Sequence, residues 1–188
     1  MAVETFFLMG FRAMSDMIKE IFPPGEDNIL IKALNKIEAS KDENDLIKLI
    51  ENLLRKIKDI AFSIKDLRFH IIKQLEPAFN SEIILNLEPK LPIKVSFKQN
   101  NDVFILSKAS PKEFKELPAI FYPYELFKKF LIEDLDVLKI ITEGKVRFDK
   151  FLELDDIIAR PLLGFTGAFF IREDFRTLVK KELPKIIN

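Results

Sequence analysis

The chain has no cysteine, no tryptophan and a single histidine among 188 residues. Without cysteine there is no disulfide framework, no thiolate zinc or iron–sulfur site and no thiol nucleophile. One histidine excludes a multi-histidine metal centre, and His70 lies beside Ile71 in an apolar-periodic stretch where a structural histidine is expected. Net charge is absent too, with thirty Lys and Arg against thirty Asp and Glu. That removes the gross electrostatic footprint of a nucleic-acid binder. The five glycines are scattered singly, so no phosphate-cradling loop can be built. No apolar run has the length of a bilayer span, and the opening Met1-Ala2-Val3-Glu4 lacks the basic start of a signal peptide. These absences lead us to expect a cytoplasmic protein with no integral membrane insertion, no nucleic-acid partner, no metal, no cofactor and no catalytic residue.

Two acidic clusters, Glu133-Asp134-Asp136 and Glu153-Asp155-Asp156, lack calcium-loop spacing and read as charge at helix N-termini. What the chain has in quantity is phenylalanine, nineteen in all, twelve of them from Phe97 onward.

The first eighty residues read as helical. Val3, Phe6, Phe7, Met14, Met17, Ile18 and Ile21 fall at helical spacing, and Pro23-Pro24-Gly25 stops that segment. A second helix starts at Asp27 or Asn28 and runs to about Ala39. Ser40 and Glu43 have capping-box spacing, and no Gly or Pro follows before Glu76. Over that span Leu46, Ile50, Leu53, Ile57, Ile60, Ile64, Leu67 and Ile71 recur at steps of four and three, a heptad seam. A break near Ser63 would divide it. Two readings of the seam stand: a helical hairpin folded on the chain's own core, or the interface of a homodimer or partner complex.

After Pro77 the period becomes two. Ile83, Leu85 and Leu87 alternate with polar neighbours, as do Ile93, Val95 and Phe97. Asn100-Asn101 supplies two residues that tolerate a positive φ, and a two-residue turn there sets Phe97 opposite Phe104 and Val95 opposite Leu106. A short strand, Ala119–Tyr122, ends at Pro123, which suits the first turn of a helix carrying Leu126, Phe127, Phe130 and Leu131. A second short helix, capped by Asp134, holds Leu135, Leu138 and Ile141. Gly144 stands where a left-handed terminus is wanted, and Lys145–Asp149 alternates again. Asp149 then caps a helix to Pro161, and Gly164 and Gly167 precede a final helix with Phe169, Phe170, Phe175 and Val179.

The fold expected is α+β: a helical extension over 1–80, then a small, mostly antiparallel or mixed sheet with helices on one face over 81–188. The order hairpin, short strand, two short helices, Glu143-Gly144-Lys145-Val146-Arg147-Phe148, helix resembles the sterol carrier protein type 2 family. The resemblance covers residues 82–164, with Tyr124–Lys129 and Asp134–Thr142 as the two short helices. It departs from the family at Phe148-Asp149-Lys150, where a glycine-containing turn is usual, and the region before Pro77 has no counterpart. It implies five strands, helices over one face and an apolar tunnel for a fatty acyl, acyl-CoA or sterol-like ligand, with binding and transfer in place of covalent catalysis. Phe97, Phe104, Phe127, Phe130, Leu131, Leu138, Val146 and Phe148 are the expected walls, though an ordinary filled core would use the same residues.

Overall fold

A computed structural model describes residues 16, 19–25, 27–40, 42–99, 103–132, 137–150 and 172–187; the side chains of Phe130, Leu131 and Leu138 lie outside that set. Also outside it are most of the expected N-terminal helix, both acidic clusters, the Asn100-Asn101 turn, and the segment from Phe151 through Ile171.

Helix α1 (Ile29–Ser40) begins at Asn28, whose Oδ1 accepts from the amides of Leu30 at 2.9 Å and Ile31 at 3.2 Å. Its Nδ2 donates to the carbonyls of Phe22 at 3.0 Å and Pro23 at 3.1 Å. One buried side chain therefore caps the helix and fixes the chain entering it. Helix α2 (Glu43–Ser63) is capped by Asp42, which accepts from the Asn44 amide. Asp42, and not Ser40, holds the N-cap position that the expected Ser40–Glu43 capping box would have used. Ser40 is itself the last residue of α1, and an N-cap needs extended backbone, which Asp42 supplies with φ −93° and ψ 105°.

The expected break comes at Ile64 (φ −100°, ψ 108°), and α3 (Lys65–Leu75) follows. The Ser63 hydroxyl donates back to the Ile60 carbonyl at 2.6 Å; it closes α2 and does not cap α3, a usual way for a serine to compete with helical continuation.

A 3₁₀ turn, Glu76–Ala78, leads to β1 (Glu82–Glu88), β2 (Leu91–Phe97) and β3 (Phe104–Lys108). A single helical turn, α4 (Glu113–Glu116), precedes β4 (Ala119–Pro123). Helix α5 (Tyr124–Ile132) starts directly after Pro123, and α6 (Val137–Thr142) ends at Gly144, with φ +69°. The Lys145 amide reaches the Ile140 carbonyl there, the six-to-one bond of a left-handed terminus. Strand β5 (Arg147–Asp149) and helix α7 (Glu173–Glu182) complete the described elements, with a 3₁₀ turn, Leu183–Ile186, at the end.

The sheet has five strands in the order β3-β2-β1-β4-β5. Three pairs are antiparallel, and β1–β4 is parallel. Phe97 pairs with Phe104 and Val95 with Leu106, the expected hairpin register. The α+β fold with its helical N-terminal region is thus what the chain adopts. Alternation puts Ile83, Leu85 and Leu87 on the face covered by helices, where α2 packs on β3 and α5 on β1 and β4, with α7 against α2. Leu34, Ile60 and Ile71 share one core with Ile93, Leu106 and Phe175, so the helices before the sheet and the sheet itself bury each other. On the opposite face α4 sets Phe114 and Leu117 against Ile84, Ala119 and Phe121.

Candidate functional site

The helix-covered face of the sheet is apolar except at Lys108, which pairs with Ile93 at the end of β3 and reaches Glu43 at the start of α2; strand alternation sends the other charged strand residues to the opposite side. Its register rows are explicit. One runs Ile93–Leu85–Ile120–Phe148 across β2, β1, β4 and β5. Ile93 is fully buried, and Ile83, Leu87 and Ile120 are buried around it. Phe97 and Phe104 face each other across β2 and β3, whereas Phe148 stands on the far edge strand. Four strand spacings separate β3 from β5, roughly 19 Å.

The expected wall residues therefore form two groups. Phe97 and Phe104 lie at one edge; Phe127, Val146 and Phe148 belong to the part of the molecule that holds β4, α5 and β5. Val146 is buried in the main core, and the four phenylalanines are half-buried against it. Phe130, Leu131 and Leu138 fall in α5 and α6, with side chains outside the described set.

The heptad seam is divided at Ile64 between α2 and α3, and both parts face inward. Leu46, Ile60, Leu67 and Ile71 are buried in the chain's own core, and Ile50, Leu53, Ile57 and Ile64 pack against it. Its apolar stripe is thus engaged within the single chain. His70 is exposed on α3. Among the described residues no three His, Asp or Glu side chains are grouped to hold a metal.

A polar cluster at the β1–β2 end of the sheet was not signalled by the sequence. Glu38 of α1 accepts from Lys90 Nζ at 2.8 Å and from Lys128 Nζ of α5 at 3.2 Å. Lys128 also reaches Glu125 at 3.2 Å. Both ammonium groups lie over the ring of buried Tyr124, Lys90 at 4.4 Å and Lys128 at 5.5 Å from its centroid, a cation–π arrangement. Phe127 meets Tyr122 edge-on at 6.4 Å and Tyr124 at the same distance. No short motif could reveal this group, because Glu38 is 52 residues from Lys90 and 90 from Lys128.

The electrostatics of the cluster follow from its contacts. Burial opposes the Glu38 charge, but the two lysines outweigh it and hold the carboxyl below its usual range. Lys128 is likewise raised, with burial overcome by Glu38 and Glu125. Burial pushes Tyr122 up to about 12. Burial and then the Glu38 carboxylate push Tyr124 well above the ordinary tyrosine range. Neither hydroxyl is prepared to lose a proton near neutral pH, which is the reverse of what a tyrosine base needs. Among the described residues no buried side-chain nitrogen or oxygen lacks a hydrogen-bond partner.

Comparison of the chain with family models, with curated proteins and with solved structures returns no match. Among the described residues no helix is long and apolar enough to cross a membrane.

Proposed function

We propose that the protein is a non-enzymatic carrier that holds a lipid or other apolar ligand, of the fatty acyl, acyl-CoA or sterol-like class, between its sheet and the helices over it. The observation that carries this reading is the composition of the covered face. Apart from Lys108 at the end of β3 it is apolar, and Phe97, Phe104 and Phe148, with Phe127 of α5, are half-buried, as are Leu85 and Val95, around a buried centre of Ile83, Leu87, Ile93 and Ile120. The five-stranded sheet with its longer helices on one face, close to what the sterol-carrier resemblance implied, supports it as well. Affinity would come from area, at about 0.8 kcal/mol for each methylene removed from water, less the cost of association. The paired polar cluster around Tyr124 then serves to hold α1, the β1–β2 turn and α5 together at one end of that layer.

Titration with a fluorescent fatty acid tests the reading. Saturable uptake, displaced by unlabelled fatty acid and weakened by Phe127→Gln, is expected. Absence of any uptake by the folded protein would sink it.

A further inference from the structure

Helix α3 carries an outer face that stays exposed among the described residues. Leu67, Ile71 and Leu75 turn into the core, while Phe69 is 73% exposed and Ile72, three residues on, is 37% exposed. Phe69 is the most exposed of the large apolar residues in the described chain. Lys65, Phe69, Ile72 and Lys73 lie at i, i+4, i+7 and i+8, so they share one stripe of the helix, with Arg68 on its flank. All of them are exposed. Within α3 three cations stand against one acid, Asp66. Arg172, at the start of α7, feels the charge of Asp66. The next acid, Glu76, follows one turn beyond Ile72.

We propose that this face of α3 docks on the surface of anionic lipid membranes. The arrangement has the two parts such a contact needs: an apolar tip that enters the boundary between headgroups and acyl chains, and long cationic side chains whose stems follow it while their ammonium groups stay with the lipid phosphates. A second copy of the chain is a poorer occupant. Two side chains cover far less than the roughly 800 Å² per partner of a stable interface. A symmetric contact through α3 would also bring its cations toward their own copies. The contact is of the peripheral kind, and it stands apart from the ligand reading, since none of these residues lies on the covered face of the sheet.

The test is co-sedimentation of the full chain with vesicles of phosphatidylcholine alone, and of phosphatidylcholine with roughly a third phosphatidylserine. Binding to the anionic vesicles, weakened by added salt, is expected, with a loss of about tenfold or more for Phe69→Ser. Lys65→Glu combined with Lys73→Glu should abolish the preference for anionic lipid while leaving the circular dichroism unchanged. The proposal is overturned if the wild-type protein stays in the supernatant with both vesicle types, or if Phe69→Ser binds as wild type does. It is also overturned if sedimentation of the protein alone shows a dimer that Phe69→Ser dissociates, which would assign the face to a second copy. Fatty-acid uptake by the same variants is a separate readout, so failure of docking and failure of ligand binding are distinguishable.

Discussion

Replacing Asn28 by Ala removes four hydrogen bonds made by one side chain that is only 5% exposed. Loss of the cap on the Leu30 and Ile31 amides costs about 1 kcal/mol. On the donor side, the carbonyl of buried Phe22 is left without its partner, which costs about 1–3 kcal/mol. The carbonyl of exposed Pro23 can turn to water and adds little. The sum is about 2–4 kcal/mol, a large part of the stability of an ordinary domain. Asn28→Ser keeps an acceptor for the helix and loses the donors, so it should fall between wild type and Asn28→Ala. Urea unfolding followed by circular dichroism reads the difference as a midpoint shift of about 1–2 M at equal slope. An Asn28→Ala midpoint within about 0.2 M of wild type, or a serine variant no better than alanine, would refute this account of how α1 is anchored.

Other expectations follow from the same contacts. Ile93, fully buried at the middle of the covered face, should cost about 2–5 kcal/mol on substitution by Ala, measured by the same unfolding assay; a cost below about 1 kcal/mol would mean that the centre of the layer is loosely packed. Glu113 accepts from Lys94 at 2.5 Å and from the amide and hydroxyl of Ser110. Lys94 first, then Ser110, holds its carboxyl down to about 2 from an ordinary 4.5. A depressed carboxyl contributes stability that is fully present above its unfolded value and is lost as pH falls through the folded one. Glu113→Gln should therefore flatten the acid limb of the stability curve between pH 4.5 and about 2; a limb of unchanged steepness would contradict the pairing. In the Tyr124 cluster, Glu38→Gln removes the acceptor shared by Lys90 and Lys128. Coupling between Glu38→Gln and Lys128→Met in a double-mutant cycle should be measurable, and simple additivity would show that the two residues act independently.

The sequence was most legible where local rules agreed with each other. Asn100-Asn101 and the flanking alternation together specified the β2–β3 register, because a slip of one residue would turn Val95 and Leu106 away from the core. Gly144 was readable because a left-handed terminus is costly for other residues. The seam from Leu46 to Ile71 was readable as apolar periodicity, but periodicity says nothing about what covers it; that required the sheet, whose Ile93 and Leu106 share its core. Ser40 misled because a capping signature is local, whereas the length of α1 is set by packing against α2 and α5. Val103, just before β3, has φ +62° and is buried, a conformation that β-branched residues rarely adopt and that no local preference would suggest. The parallel pairing of β1 with β4 and the convergence of Glu38, Lys90 and Lys128 both depend on contacts between residues remote in sequence.

The central claim is that the apolar layer between sheet and helices holds a ligand and is not merely filled by its own side chains. Native mass spectrometry of the protein as purified tests this most directly, with chloroform extraction to recover what is bound. The account predicts a population heavier than the bare chain by the mass of an acyl lipid or sterol-like molecule, released into the organic phase. A protein that shows only the mass of the polypeptide in every preparation, and yields nothing to extraction, would contradict it.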